Sequence, residues 1–220
     1  MRVEQLSPHI WSCKSWMLFT IQVWLVKEED GLVLVDAGMK GMVRGIEGAI
    51  AAIGLPLRRI LLTHGHSDHV GSAETLAHKY GVPVYLHAND IPYAEGQQPF
   101  PGRKRAERLL PQGLVQPLAD DGGEGLAPVG SLRPYWTPGH SPGHTAYYHE
   151  TDRVLLGGDL FTTKQGRLNR PMPMFTADMP RAVRSAGILR ELNPALLAVC
   201  HSPALAEPAV QLDTYLAKWQ

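Results

Sequence analysis

The sequence predicts a layered α/β fold, α+β in its ordering, in which two sheets pack together with helices outside. Three observations lead there. At 220 residues the chain lies within the range of one α/β or layered domain, so residues 1–220 are expected to form a single domain. A hydrophobic content of 44% against 19% charged residues supplies a sizeable core and excludes intrinsic disorder. Apolar patterning places strands first, then helices and strands, then strands and helices again, without strict alternation. A doubly wound parallel sheet stays open as the second architecture.

The opening is β-rich: strands are expected at His9 to Cys13, Met17 to Val26 and Leu32 to Val35, with Glu28-Glu29-Asp30-Gly31 as a hairpin turn. Met42, Val43, Ile46, Ala49, Ile50 and Ile53 recur at helical spacing, and Gly54 with Pro56 supplies a stop. Arg58 to Thr63 reads as a strand, Ala73 to Tyr80 as a helix closed by Gly81, and Val82 to Leu86 as a strand. From about residue 89 to 130 the pattern is irregular and is expected to run over the surface; Arg103-Lys104-Arg105 within it reads as a solvated face. Strands resume at Leu132 to Thr137, Ala146 to His149 and Val154 to Leu156, followed by a helix from Met179 and a strand from Leu196 to Val199. The last helix carries Ala209, Leu212, Leu216 and Trp219 on one face, with Pro208 in its first turn.

Lys+Arg and Asp+Glu both total 21, a formal net charge of zero, so the chain lacks the field that holds nucleic acid through its phosphates. A small-molecule substrate fits better, and the sequence is compatible with a homo-oligomer. Cys13 and Cys200 make no disulfide framework and read as free thiols. The N-terminus has no apolar run behind a basic start, and Ser15 to Val26 is too short to span a bilayer, so a cytoplasmic protein without membrane association is expected.

The ten histidines lie outside the charge balance. Three of them sit with a carboxylate in Thr63-His64-Gly65-His66-Ser67-Asp68-His69, directly after an apolar strand. Imidazole and carboxylate suit zinc and other borderline divalent metals. His64 and His66, two apart in extended chain, can reach one ion, and a turn into helix at Asp68 and His69 can face a second. The alternative is a polar loop in which Asp68 caps the helix. Three later segments also run from an apolar strand into a ligand type: Trp136-Thr137-Pro138-Gly139-His140, Leu155-Leu156-Gly157-Gly158-Asp159 and Leu197-Ala198-Val199-Cys200-His201. Glycines beside His140 and Asp159 permit tight turns and close backbone approach.

In these motifs, and in Leu34-Val35-Asp36-Ala37-Gly38, the chain resembles the metallo-β-lactamase superfamily from about residue 9 to residue 203. The resemblance implies a four-layer αββα sandwich with metals at one edge of the two sheets. It assigns His64, His66 and His140 to one ion, and Asp68, His69 and His201 to the other, with Asp159 bridging. It also implies that Asp36 is a buried carboxylate ordering the loops under the site, the alternative being an Asp that forms a turn before Gly38. His144 is expected to support the ligands from behind or to start a strand, while His9, His78, His87 and His149 lack partner motifs and read as surface or ordinary structural histidines.

Two divalent ions, zinc first with iron or manganese as alternatives, would activate a bridging water as hydroxide and polarise the bond under attack. Asp68 would orient that nucleophile and carry a proton to the leaving group, making it the catalytic residue. The expected reaction is hydrolysis of an ester, thioester or lactone-type bond. Neither thiol is needed; Cys200 points away from His201 if the strand continues, the alternative being a place near the metals. Thr-Pro-Gly-His and Gly-Asp-Leu-Phe resemble hydroxyacylglutathione-type thioesterases, but with 19 residues after His201 the glutathione-binding C-terminal extension is expected to be absent. Thr137 to His144 resembles the lactonase group, although Thr162 stands where that group has tyrosine. A β-lactamase would be expected to carry an export signal. The alternative from another class is a mononuclear iron persulfide dioxygenase; the di-iron oxygen reductases replace the second histidine of the motif, here His66, with glutamate. Access is expected around Ser15-Trp16 and from the irregular excursion. Phe161, Lys164, Arg167 and Arg170 are candidates for substrate contact, the three cations for an acidic group; a solvated loop is the alternative. Pro171 to Phe175 reads either as an apolar wall or as core packing.

Overall fold

The computed structural model describes residues 1–16, 19–123 and 125–220; Met17 and Leu18, at the start of one predicted strand, and Glu124 lie outside the described residues. The chain divides into two compact units, Met1–Leu118 and Ala119–Gln220. Among the described residues no helix is long and apolar enough to cross a membrane.

The first unit is built on a seven-stranded sheet in simple sequence order. β1 (Arg2–Ser7), β2 (Ile10–Trp16), β3 (Thr20–Glu28) and β4 (Gly31–Val35) form an antiparallel meander. The predicted hairpin turn is present, with Glu28 opposite Gly31. The sheet then turns parallel. α1 (Val43–Ile53) links β4 to β5 (Leu57–Leu61), α2 (Ser67–Val70) and α3 (Ala73–Tyr80) lead to β6 (Val84–Leu86), and α4 (Ile91–Ala94) precedes β7 (Val115–Pro117). Helix α1 buries Ile46, Ala49 and Ile50 and ends at Gly54, whose left-handed backbone lets its N–H reach Ile50 O at 3.0 Å. Trp24, Leu25, Leu32, Leu34, Ile60 and Leu61 are fully buried, each contributing about 1.5–3 kcal/mol on transfer from water. The irregular stretch is less of an excursion than expected, because β7 pairs with β6 and extends the sheet. Arg103, Lys104 and Arg105 are exposed in irregular chain.

The second unit carries a five-stranded sheet ordered β14-β13-β10-β9-β8. Its strands are β8 (Leu132–Trp136), β9 (Thr145–His149), β10 (Val154–Leu156), β13 (Leu196–Ala198) and β14 (Leu205–Ala206). Between β10 and β13 lie the hairpin β11 (Thr162–Lys164) and β12 (Arg167–Asn169), then α5 (Met179–Ser185) and α6 (Ile188–Leu192); α7 (Leu212–Trp219) closes the chain. Leu155, Phe161, Val183, Leu189, Leu197, Leu212 and Tyr215 share one buried cluster. Composition and pattern missed β1, the β11–β12 hairpin and α6, which are short or exposed and leave weak periodicity.

Direction decides what each sheet presents. In the first unit β4, β5 and β6 are parallel, so the loops bearing Asp36, His64 and Asp90 leave the same edge. In the second, β8 and β10 both run against β9, and β13 runs parallel to β10. The loops carrying His140, Asp159 and His201 therefore also leave one edge.

Candidate metal centre

In the first unit the centre of the arrangement is Asp36, fully buried one residue beyond β4. Its φ of 58° lies in the left-handed region, which Asp tolerates better than most residues. Its carboxylate accepts from Thr63 N at 2.8 Å, from Thr63 Oγ1 at 2.9 Å and from His69 Nδ1 at 2.7 Å. A carboxylate only accepts, so His69 carries its proton on Nδ1 and turns the Nε2 lone pair outward. The Thr63 hydroxyl spends its single proton on Asp36, so His64 Nδ1, 3.1 Å away, is the donor to Thr63 and His64 also presents Nε2. His66 Nδ1 lies 3.0 Å from that Nε2. Ligands on a tetrahedral ion with bonds of about 2.0–2.1 Å sit about 3.3 Å apart, and the pair at 3.0 Å is slightly closer than that spacing.

Asp68 is partly exposed, with Oδ2 3.9 Å from His69 Nε2. It does not cap α2, whose N-cap is His66 and which has no side-chain cap bond. Behind the motif, fully buried Asp90 accepts from Gly65 N at 3.0 Å. A Cβ at Gly65 would sit 2.9 Å from Ala94 Cβ and 3.1 Å from Phe100 Cζ, so glycine is what lets α4 and Phe100 press against this loop. The Phe100 ring meets His66 edge-on at 4.7 Å.

In the second unit His140 Nδ1 lies 3.2 Å from Thr176 Oγ1, which itself donates to Met172 O at 2.9 Å. The hydroxyl proton is thereby used, His140 donates through Nδ1, and its Nε2 lone pair faces Asp159 Oδ2 at 3.5 Å. His201 Nε2 lies 3.2 Å from the same oxygen. An imidazole lone pair directed at a carboxylate is repulsive until a cation or a proton comes between them. His144 holds this carboxylate in place through the backbone: Asp159 N donates to His144 Nε2 at 3.1 Å, and His144 Nδ1 pairs with Thr137 Oγ1 at 2.9 Å.

Several expectations need revision. Phe161 is 1% exposed and packs edge-on against Tyr215 in the core, which excludes the substrate contact considered for it. Lys164 and Arg167 are exposed and flank the β11–β12 turn, the solvated alternative, while the Arg170 guanidinium lies 4.2 Å over the Trp219 ring. Met174 and Phe175 are not core: they are 79% and 38% exposed on a 3-10 turn. Cys200 does not point away from His201. β13 ends at Ala198, and the Cys200 thiol, an Asp159 carboxylate oxygen and a His201 ring nitrogen lie within 4.8 Å of one another. Sequence reasoning missed Thr63, Asp90, Thr137 and Thr176. Thr63 and Thr137 stand inside the motifs and were open to notice, whereas Asp90 and Thr176 reach the site only through folding.

A family model described as the metallo-beta-lactamase superfamily matches residues 17–201. The probable metallo-hydrolase YybB of Bacillus subtilis (strain 168) is 33% identical over 224 residues, covering 100% of both chains. The hydroxyacylglutathione hydrolase of Methylobacillus flagellatus is 32% identical over 154 residues, 69% of this chain and 52% of that enzyme. Among solved structures, TTHA1623 in a di-iron-bound form superposes with a TM-score of 0.70 at 26% identity, covering 91% of this chain and 96% of that one. By family model, relatives and mixed α/β architecture together, this chain belongs to the metallo-beta-lactamase superfamily and has its fold.

Proposed function

We propose that the protein is a dinuclear metal-dependent hydrolase of an ester, thioester or lactone-type bond, its two units acting as one domain. The observation that carries this reading is the set of imidazoles whose Nδ1 atoms are already committed to hydrogen bonds. His64, His69 and His140 are thereby left offering Nε2 beside carboxylates or another ring nitrogen. His64, His66 and His140 would hold one ion; Asp68, His69 and His201 would hold the other, with Asp159 shared. Neutral imidazole with carboxylate is a zinc-type donor set, and zinc is the metal we place first. When bound, such ions lower the pKa of a water and polarise the oxygen under attack.

The chain's own residues do the rest. Asp36, Thr63 and Thr176 hold the rings in one tautomer, and His144 fixes the Asp159 backbone. Asp68 keeps its carboxylate partly open to solvent, which suits it to orient the attacking water and hand a proton to the leaving group. The match to a hydroxyacylglutathione hydrolase, of which this chain spans 52%, supports including thioesters on the substrate panel.

The test combines metal analysis with turnover on thioesters, lactones, simple esters, phosphodiesters and β-lactams. About two equivalents of metal and hydrolysis of a carbonyl ester or thioester are expected. One equivalent of iron with oxygen consumption on a persulfide would overturn the reading. Asp68→Asn should fold normally and lose about 10²–10⁴-fold in turnover; full activity would remove Asp68 from its role.

A further inference from the structure

Cys200 occupies a place that strand alternation does not explain. β13 stops at Ala198, and Cys200 N donates instead to Gly158 O at 3.0 Å, while Gly157 N donates to Ala198 O at 2.8 Å. These two bonds stitch the chain after β13 to the chain after β10. They carry the buried Cys200 thiol next to Asp159 and His201, with one donor atom from each of the three inside a 4.8 Å cluster. The carboxylate and the imidazole are already 3.2 Å apart, the spacing of two ligands on one ion.

We propose that Cys200 is itself a metal ligand, its thiolate completing with Asp159 and His201 a sulfur, oxygen and nitrogen donor set for one ion. This rests on the metal-centre reading above and deepens it by selecting among metals. Binding exchanges the thiol proton for the metal: the S–H bond breaks, a sulfur–metal bond forms and one proton is released to solvent, with no change of oxidation state. A thiolate favours zinc over manganese or magnesium, which prefer oxygen donors. Cys13 provides an internal control, since it lies mid-strand in β2 opposite Val3 and Val23.

Cobalt(II) loading of the purified protein tests this without reference to activity. Wild type is expected to show a near-ultraviolet sulfur-to-cobalt charge-transfer band together with the visible ligand-field bands. Cys13→Ala should keep the charge-transfer band; Cys200→Ser should lose it and keep ligand-field bands from the remaining donors. Chelator competition should show zinc affinity falling at least about 10-fold in Cys200→Ser. Ligand-field bands without charge transfer in wild type would overturn the thiolate ligand and leave the metal centre standing. No cobalt bound at all would overturn both. If Cys200→Ser fails to fold, wild type and Cys13→Ala still decide: a band lost with Cys13 refutes the proposal.

Discussion

Removing Asp36 should damage the protein in two separable ways. Asp36→Ala strips the acceptor from the buried Thr63 N–H and His69 Nδ1–H and frees a Thr63 hydroxyl that can turn elsewhere. Two orphaned buried donors cost about 1–3 kcal/mol each. An alanine held at φ 58° adds about 1–2 kcal/mol. The sum, about 3–8 kcal/mol, is comparable with the whole stability of a domain, about 5–15 kcal/mol, so this variant should be largely unfolded or insoluble. Asp36→Asn tolerates the backbone and keeps one oxygen for Thr63 N–H, but turns an amide N–H toward His69. The imidazole must then move its proton to Nε2, which takes the lone pair away from the site. The expected loss of stability is about 1.5–3 kcal/mol, the worth of one charge-assisted bond. Urea unfolding with metal analysis of the same samples separates the effects: a lowered midpoint, and loss of the metal assigned to His69 with retention of the one assigned to His64 and His66. Asp36→Asn with a wild-type midpoint and full metal content would refute the tautomer argument.

Three further outcomes are expected. Thr176→Val keeps the shape of the side chain but leaves His140 Nδ1 without its acceptor; metal affinity measured by chelator competition should fall about 10–100-fold and return in Thr176→Ser. Gly139→Ala would place its Cβ on the backbone N and Cα of Ala182 in α5, at φ 138°, and should cost about 3–5 kcal/mol in denaturant unfolding. Burial in the first sheet pushes the Cys13 thiol from 9.0 up to about 12. Its folded pKa is raised, so its contribution to stability is intact below the unfolded value and is lost as pH rises from 9.0 toward about 12. Cys13→Ala should therefore lose less stability than wild type over that alkaline range; identical slopes would show that the thiol is not desolvated.

The helix from Ala73 to Tyr80, the hairpin at Glu28 to Gly31 and the strand around Arg58 to Leu61 were legible because local spacing and turn chemistry specify them. The candidate donors stood out for a related reason: histidines and aspartates cluster at apolar strand ends, where few other uses explain them. What sequence could not decide was orientation. Alternation turns Cys200 away only if the strand continues past Ala198; a strand's period holds only as long as its hydrogen-bond ladder, and that ladder ends at Ala198, which leaves the place near Asp159 and His201. Phe161 follows Asp159 by two residues, yet its ring belongs to the core.

Residue types and their order along the chain thus determined the family and the layered class, and nominated the candidate donor residues. Tertiary structure alone decided which nitrogen of each ring faces the site. That choice rests on partners distant in sequence: Asp36 for His69 across 33 residues, set side by side by the parallel strands β4 and β5 and the helix that links them, and Thr176 for His140 across 36, folded back from the segment between β12 and α5.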